Sequence, residues 1–153
     1  MFRKGVTFAL MLLIGVMVFS GCEESEPTKE GTEHSDTGLT FNIIDRDSDE
    51  VVDYHHDQHW HSGLPEVSIN ENLSLGANIL DENEKEIELD GEHYSLGIDY
   101  AEDANEEILS LEEHGDHVHI TGDKEGESEV VFQLIHDGEV EHETVPIEIQ
   151  VSN

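Results

Sequence analysis

The chain has 153 residues, 38 of them Asp or Glu against 6 Lys or Arg, for a formal net charge of −32. That length fits one ordinary domain with a tail and excludes two full ones. The charge repels phosphate backbones and anionic headgroups, which excludes nucleic acid and polybasic membrane docking, and it attracts cations.

In chain order, residues 1–21 read as a secretory leader: Arg3 and Lys4 give a basic start, and 6–19 is an apolar stretch too short to cross a bilayer as a helix. It ends in Phe19-Ser20-Gly21-Cys22, which resembles a bacterial lipobox, in which a lipidated cysteine becomes the first mature residue. The resemblance implies an exported protein held at the outer face of the cell membrane by the lipid (palmitate among its chains) on Cys22. Cys22 is the only cysteine, so no intrachain disulfide can form. Beyond the leader the chain keeps all 38 acidic residues, 4 basic ones and no methionine. Residues 22–38 are the lipidated Cys and an acidic linker; 23–38, EESEPTKEGTEHSDTG, carry no apolar residue and read as a flexible tether.

From 39 to 153 the pattern is that of short strands. Residues 39–44 alternate loosely, Leu73, Leu75, Ala77 and Ile79 recur at period two, and so do Tyr94, Leu96, Ile98 and Tyr100. An apolar run at 130–135 and a second alternation through Val145, Ile147, Ile149 and Val151 flank Asp137-Gly138, a strong two-residue hairpin signal. Asp90-Gly91 and Gly122-Asp123 supply further turns, and 101–107 has room for at most one helical turn. The expected fold is all-β. Residues 108–151 resemble the C-terminal half of a bacterial Ig-like domain, with Gly126 ahead of the strand that enters the core, which implies an antiparallel β-sandwich over 39–153.

The eleven histidines are clustered. Residues 54–61 read YHHDQHWH and 112–119 read EEHGDHVH; each contains His-x-x-His-x-His, formed by His56, His59, His61 and by His114, His117, His119. On a strand, side chains two apart leave the same face, so His59 and His61 can converge on one ion, as can His117 and His119, while Trp60 and Val118 turn toward the core. The first histidine of each triad reaches the same ion only across a bend, for which Gly115-Asp116 has turn chemistry. Three neutral imidazoles with a fourth ligand suit zinc; with no free sulfur ligand, copper(I) is disfavoured, while copper(II) and nickel are chemically acceptable. Asp57 and Asp116 can act as fourth ligands or orient a ligand histidine through its other ring nitrogen, and His136 and His142, which flank the last hairpin, are candidate auxiliary ligands. His55 points away from His56 on an extended chain and ranks below the six.

His-Gly-Asp-His-Val-His at 114–119 resembles the zinc-binding motif of the streptococcal polyhistidine-triad surface lipoproteins, and the lipobox at Cys22 is shared with them. The resemblance implies zinc at His56, His59, His61, His114, His117 and His119, and a protein that collects the ion outside the membrane, with an uptake ABC transporter component as partner.

Other motifs fail. Asp45-Arg46-Asp47-Ser48-Asp49 begins like a calcium loop, but Glu50 and His56 stand where Gly and Glu are required. The chain has neither His-Glu-x-x-His nor Gly-x-Ser-x-Gly, so the expectation is a non-enzyme. Two readings follow: a lipid-anchored protein that captures or buffers zinc through two triads on neighbouring strands or loops, or a structural or adhesive Ig-like module whose histidines are incidental or pH-responsive.

Overall fold

Two antiparallel sheets face one another across a common apolar core in the computed structural model, which describes residues 38–153. The segments read above as leader and tether, with Cys22, lie outside the described residues as far as residue 37. The strands are β1 Thr40–Asp45, β2 Glu50–His56, β3 His59–Trp60, β4 Val67–Ser68, β5 Asn72–Leu80, β6 Glu86–Ile87, β7 Tyr94–Tyr100, β8 Leu109–Glu113, β9 His117–Gly122, β10 Gly126–His136, β11 Glu139–Glu143 and β12 Ile147–Ser152. The first sheet runs β3-β2-β1-β5-β9-β8, with β6 on β5; the second runs β11-β10-β12-β4, with β7 on β10.

Period two decides which side chains meet. Phe41 and Ile43 of β1, Leu75 and Ile79 of β5, and Val118 and Ile120 of β9 leave the inner face of the first sheet and are fully buried. Phe132, Leu134 and Ile149 of the second sheet are buried against them in the same cluster. Each such side chain contributes about 1.5–3 kcal/mol by leaving water. The sandwich expected from the sequence is therefore the fold, and among the described residues no helix forms; 101–107 is a pair of turns.

The alternation at 143–151 does not make one strand. It breaks at residues 144–146 into the end of β11 and the start of β12. Pro146 has no N–H to give a ladder, and the buried Thr144 serves the break: its Oγ1 accepts the Phe132 N–H at 3.0 Å and its own N–H donates to Phe132 O at 2.9 Å. Asp137-Gly138 forms the expected hairpin turn, both residues at positive φ (50° and 83°), as a type I′ turn requires.

Candidate metal centres

Both His-x-x-His-x-His motifs are two-residue β-hairpins. In the first, His56 and His59 are directly paired across the β2–β3 turn, whose residues Asp57 and Gln58 both have positive φ (48° and 62°). In the second, the His114 N–H donates to His117 O at 2.9 Å across Gly115-Asp116, with Gly115 at φ 86°. The residues flanking a two-residue turn face each other on one side of the ladder, and the residue two further along joins them. The spacing that sequence alone assigns to a bend is thus that of a tight hairpin, and it puts all three imidazoles on one face.

The ligand atoms agree with that reading. Within each triad, one nitrogen from each histidine lies within 4.8 Å of the others. In the first triad the Nε2 atoms of His56 and His61 are 3.0 Å apart, and the ring centroids are separated by 4.5–4.8 Å. In the second the centroids are separated by 4.6–5.1 Å. Each triad can hold a metal ion.

Asp57 and Asp116 both sit on an Nδ1. Asp57 Oδ2 is 3.1 Å from His56 Nδ1, and Asp116 Oδ1 is 2.6 Å from His117 Nδ1. A carboxylate there keeps the ring proton on Nδ1 and leaves Nε2 as the free lone pair. The hydrogen bond from His117 in turn holds the Asp116 carboxyl below its ordinary range, helped by Arg46, whose guanidinium is 3.8 Å away. His61 and His119 are both held below the usual imidazole value, first by desolvation and then by the neighbouring histidines of their own triads. They therefore remain neutral, and able to ligate, through the neutral pH range.

Three participants are not evident from the sequence. Tyr54 stacks on His61 (centroids 3.8 Å apart, planes within 16°) and, more distantly, on His56; its place two residues before His56 is the one available signal. Arg46 lays its stem over Gly76 and reaches Asp116. Asp53 is buried beneath the first triad. Its Oδ1 accepts the N–H groups of Tyr54 (2.7 Å), Ser62 (2.9 Å) and His61 (3.2 Å), and its Oδ2 accepts that of Gly63 (2.7 Å).

Trp60 and Val118 turn toward the core, as the spacing predicts: Val118 is fully buried, and Trp60 packs edge-on against Phe132 and donates from Nε1 to Val145 O at 2.9 Å. The expectation of neighbouring strands is corrected. Two strands, β1 and β5, stand between the β2–β3 and β9–β8 hairpins. His117 pairs with Gly76 of β5, whereas His55 pairs with Phe41 and Phe41 with Ile79, so His56 lies four rungs further along the sheet. Three strand spacings and four rungs put the triads roughly 19 Å apart on the same outer face. Ligands of one zinc ion lie within about 3.4 Å of each other, given metal–nitrogen bonds of about 2.0–2.1 Å. The triads are two sites, not halves of one.

His136 and His142 join neither triad. His136 ends β10 in the other sheet and stacks on Tyr94 (4.3 Å), while His142 on β11 packs against Phe41 with ring centroids 5.5 Å apart. His55 faces the core, 3% exposed, and neither of its ring nitrogens has a hydrogen-bond partner among the described residues. Burial first, then the nearby His142, His59 and His56, lowers its pKa from 6.5 to about 4. Between those values the unfolded chain takes up a proton that the folded chain refuses. The associated stability is complete above pH 6.5 and is lost as the pH falls toward 4, by about 3 kcal/mol. In metal-free urea melts at pH 7 and pH 4.5, His55→Phe is expected to lose less stability on acidification than the parent by most of that amount; equal losses would remove this account of His55.

No family model matches the chain, and no curated protein matches it. Among solved structures it is similar to the crystal structure of domains 4 and 5 of the S-layer protein SbsC, with a TM-score of 0.44 and 10% identity over 80% of this chain and 81% of that one.

Proposed function

We propose that this protein captures zinc outside the cell through two independent three-histidine sites, tethered to the membrane by lipid on Cys22. The observation that carries the reading is the convergence of three imidazole nitrogens within 4.8 Å on each of two exposed hairpins. In each triad one imidazole is already oriented by a carboxylate on its Nδ1. Three imidazoles leave one tetrahedral position for water or for a ligand of an acceptor, which suits capture and hand-over better than permanent structural binding. The acidic surface raises the local cation concentration, and the imidazoles select a borderline metal over calcium and magnesium. An uptake transporter is the acceptor this arrangement would serve.

Zinc calorimetry on the full-length chain tests the reading. Two tight zinc ions per chain are expected at pH 7.5. His59→Ala/His61→Ala and His117→Ala/His119→Ala should each leave one, and affinity should fall as pH drops below about 6.5, where imidazole protonates. No tight binding by the parent chain would sink the proposal and favour a structural module; equal affinity at pH 5 and pH 7.5 would show that histidines are not the ligands.

A further inference from the structure

The two histidine motifs align residue by residue, 54–61 on 112–119. Of the aligned positions that differ, one lies outside the turn and on the same face as the imidazoles: Tyr54 in the first motif, Glu112 in the second. Glu112 pairs directly with His119 across β8 and β9. Tyr54 holds the matching place, since His55 pairs with Trp60 and the next rung away from the turn sets Tyr54 opposite His61. An aromatic ring thus stands where the second hairpin has a carboxylate.

Tyr54 takes no part in the apolar core and is 38% exposed. Its ring neighbours among the described residues are two ligand histidines. His61 lies with centroids 3.8 Å away and planes within 16°, and His56 lies at 5.7 Å and 13°. These are the two rings whose Nε2 atoms approach to 3.0 Å. The third, His59, is placed by the turn, with Nδ1 3.4 Å from Asp57 O. In the second triad the ring contacts run among His114, His117 and His119 themselves. Glu112 Oε2 comes to 3.8 Å from His114 Nε2 but offers no face for a ring to lie on.

We propose that Tyr54 is a positioning residue that makes the first triad the tighter zinc site, so that the chain fills this triad before the second. The inference rests on the capture reading above and adds an order of loading to it. Zinc fixes every imidazole it binds, and freezing side chains on an exposed hairpin opposes binding. A near-parallel ring in van der Waals contact removes part of that freedom before the ion arrives. The contact strengthens once the ion is bound. A coordinated imidazole gives electron density to the metal and gains positive character, which the face of a tyrosine ring attracts. Glu112 supplies neither effect. Its side chain is 69% exposed, so its attraction for the ion is screened by water and salt, and the Arg46 guanidinium near Asp116 offsets it.

The test isolates each site in the full-length chain and follows zinc by calorimetry at pH 7.5. With the second triad removed by His117→Ala/His119→Ala, Tyr54→Leu is expected to weaken zinc about tenfold, about 1.4 kcal/mol, while Tyr54→Phe stays within about twofold. Leucine keeps an apolar cover without a ring face, so the two variants separate stacking from cover alone. With the first triad removed by His59→Ala/His61→Ala, Glu112→Tyr should bind zinc at least about threefold more tightly than Glu112→Gln, which loses the same charge and gains no ring. The unmodified chain decides the order of loading without any substitution in the hairpins. Up to one equivalent of zinc should shift the Tyr54 ring protons and the His56, His59 and His61 imidazole resonances ahead of those of His114, His117 and His119. A parent chain that binds no zinc ends the capture reading, and this inference with it. Zinc held at both triads, with Tyr54→Leu equal to Tyr54→Phe or with the second triad filling first or together with the first, overturns the role of Tyr54 alone.

Discussion

Asp53→Ala is expected to cost about 3–5 kcal/mol of stability and to remove one tight zinc ion while sparing the other. The carboxylate is 2% exposed and collects four backbone N–H groups. Three of them, from His61, Ser62 and Gly63, follow β3 directly and have Asp53 as the acceptor that fixes them. Truncation removes the shared acceptor from under this exposed segment, and each N–H left unmet costs about 1–3 kcal/mol. The segment is then free to turn its donors to water, and His61 moves with it. The second triad does not depend on such a carboxylate. Its turn is closed by its own ladder and braced by the Leu96 N–H, which donates to Gly115 O at 2.7 Å. Urea melts without metal and zinc calorimetry at pH 7.5 read the two effects together. Asp53→Asn, which keeps one acceptor oxygen but turns an amide toward the Gly63 N–H, should fall between parent and alanine. An alanine variant within 1 kcal/mol of the parent and still binding two zinc ions would show that Asp53 holds nothing in place.

The difference between the triads and Asp53 shows what a sequence of this kind makes legible. Ligand chemistry and period-two spacing are both local, so six histidines and the inward turn of Trp60 and Val118 can be read from two octapeptides. Asp53 is one of 38 acidic residues, and its local context, Val-Val-Asp-Tyr, carries nothing to separate it from the solvated ones. Its role arises from four N–H groups brought together by the fold. The first turn is hidden for another reason. Gln58 seldom takes positive φ, so Asp57-Gln58 does not announce a type I′ turn, whereas Asp137-Gly138 does. The β2–β3 pairing and the hold of Asp53 on residues 61–63 impose the conformation from outside.

Strand order is the other quantity that local pattern does not carry. Both triads lie on hairpins of one sheet, but β1 and β5 come between them, and the pairing that puts them there joins segments 30 or more residues apart in sequence, such as β1 with β5. The same order sets the charge around each site. Arg46, one of few cations in the chain, crosses Gly76 to stand by Asp116 at the second triad, while the first triad sees the carboxylates of Asp57 and Asp53. Equal histidine sets therefore need not hold zinc equally. The second, with a guanidinium beside the carboxylate that orients His117, is the weaker candidate of the two.

Because the sites are roughly 19 Å apart and share no ligand, zinc should stabilise the fold in two additive steps. At free zinc a thousandfold above a site's Kd, binding to the folded state alone adds about 4 kcal/mol, so two sites add about 8 kcal/mol. The gain is reduced by zinc that binds the unfolded chain. Each motif spans only six residues, so all three ligands stay close together after unfolding, and what folding adds is the hairpin that lines them up on one face. Urea melts at buffered free zinc, on the parent, on the two double-alanine variants and on their combination, separate the contributions. The combined variant sets the baseline, so zinc held elsewhere cancels. Each triad should restore its own increment whether or not the other is present, with the sum agreeing within about 0.5 kcal/mol. If loss of either triad abolished the whole effect of zinc, the ion would have to be shared, and the separation across β1 and β5 would be wrong.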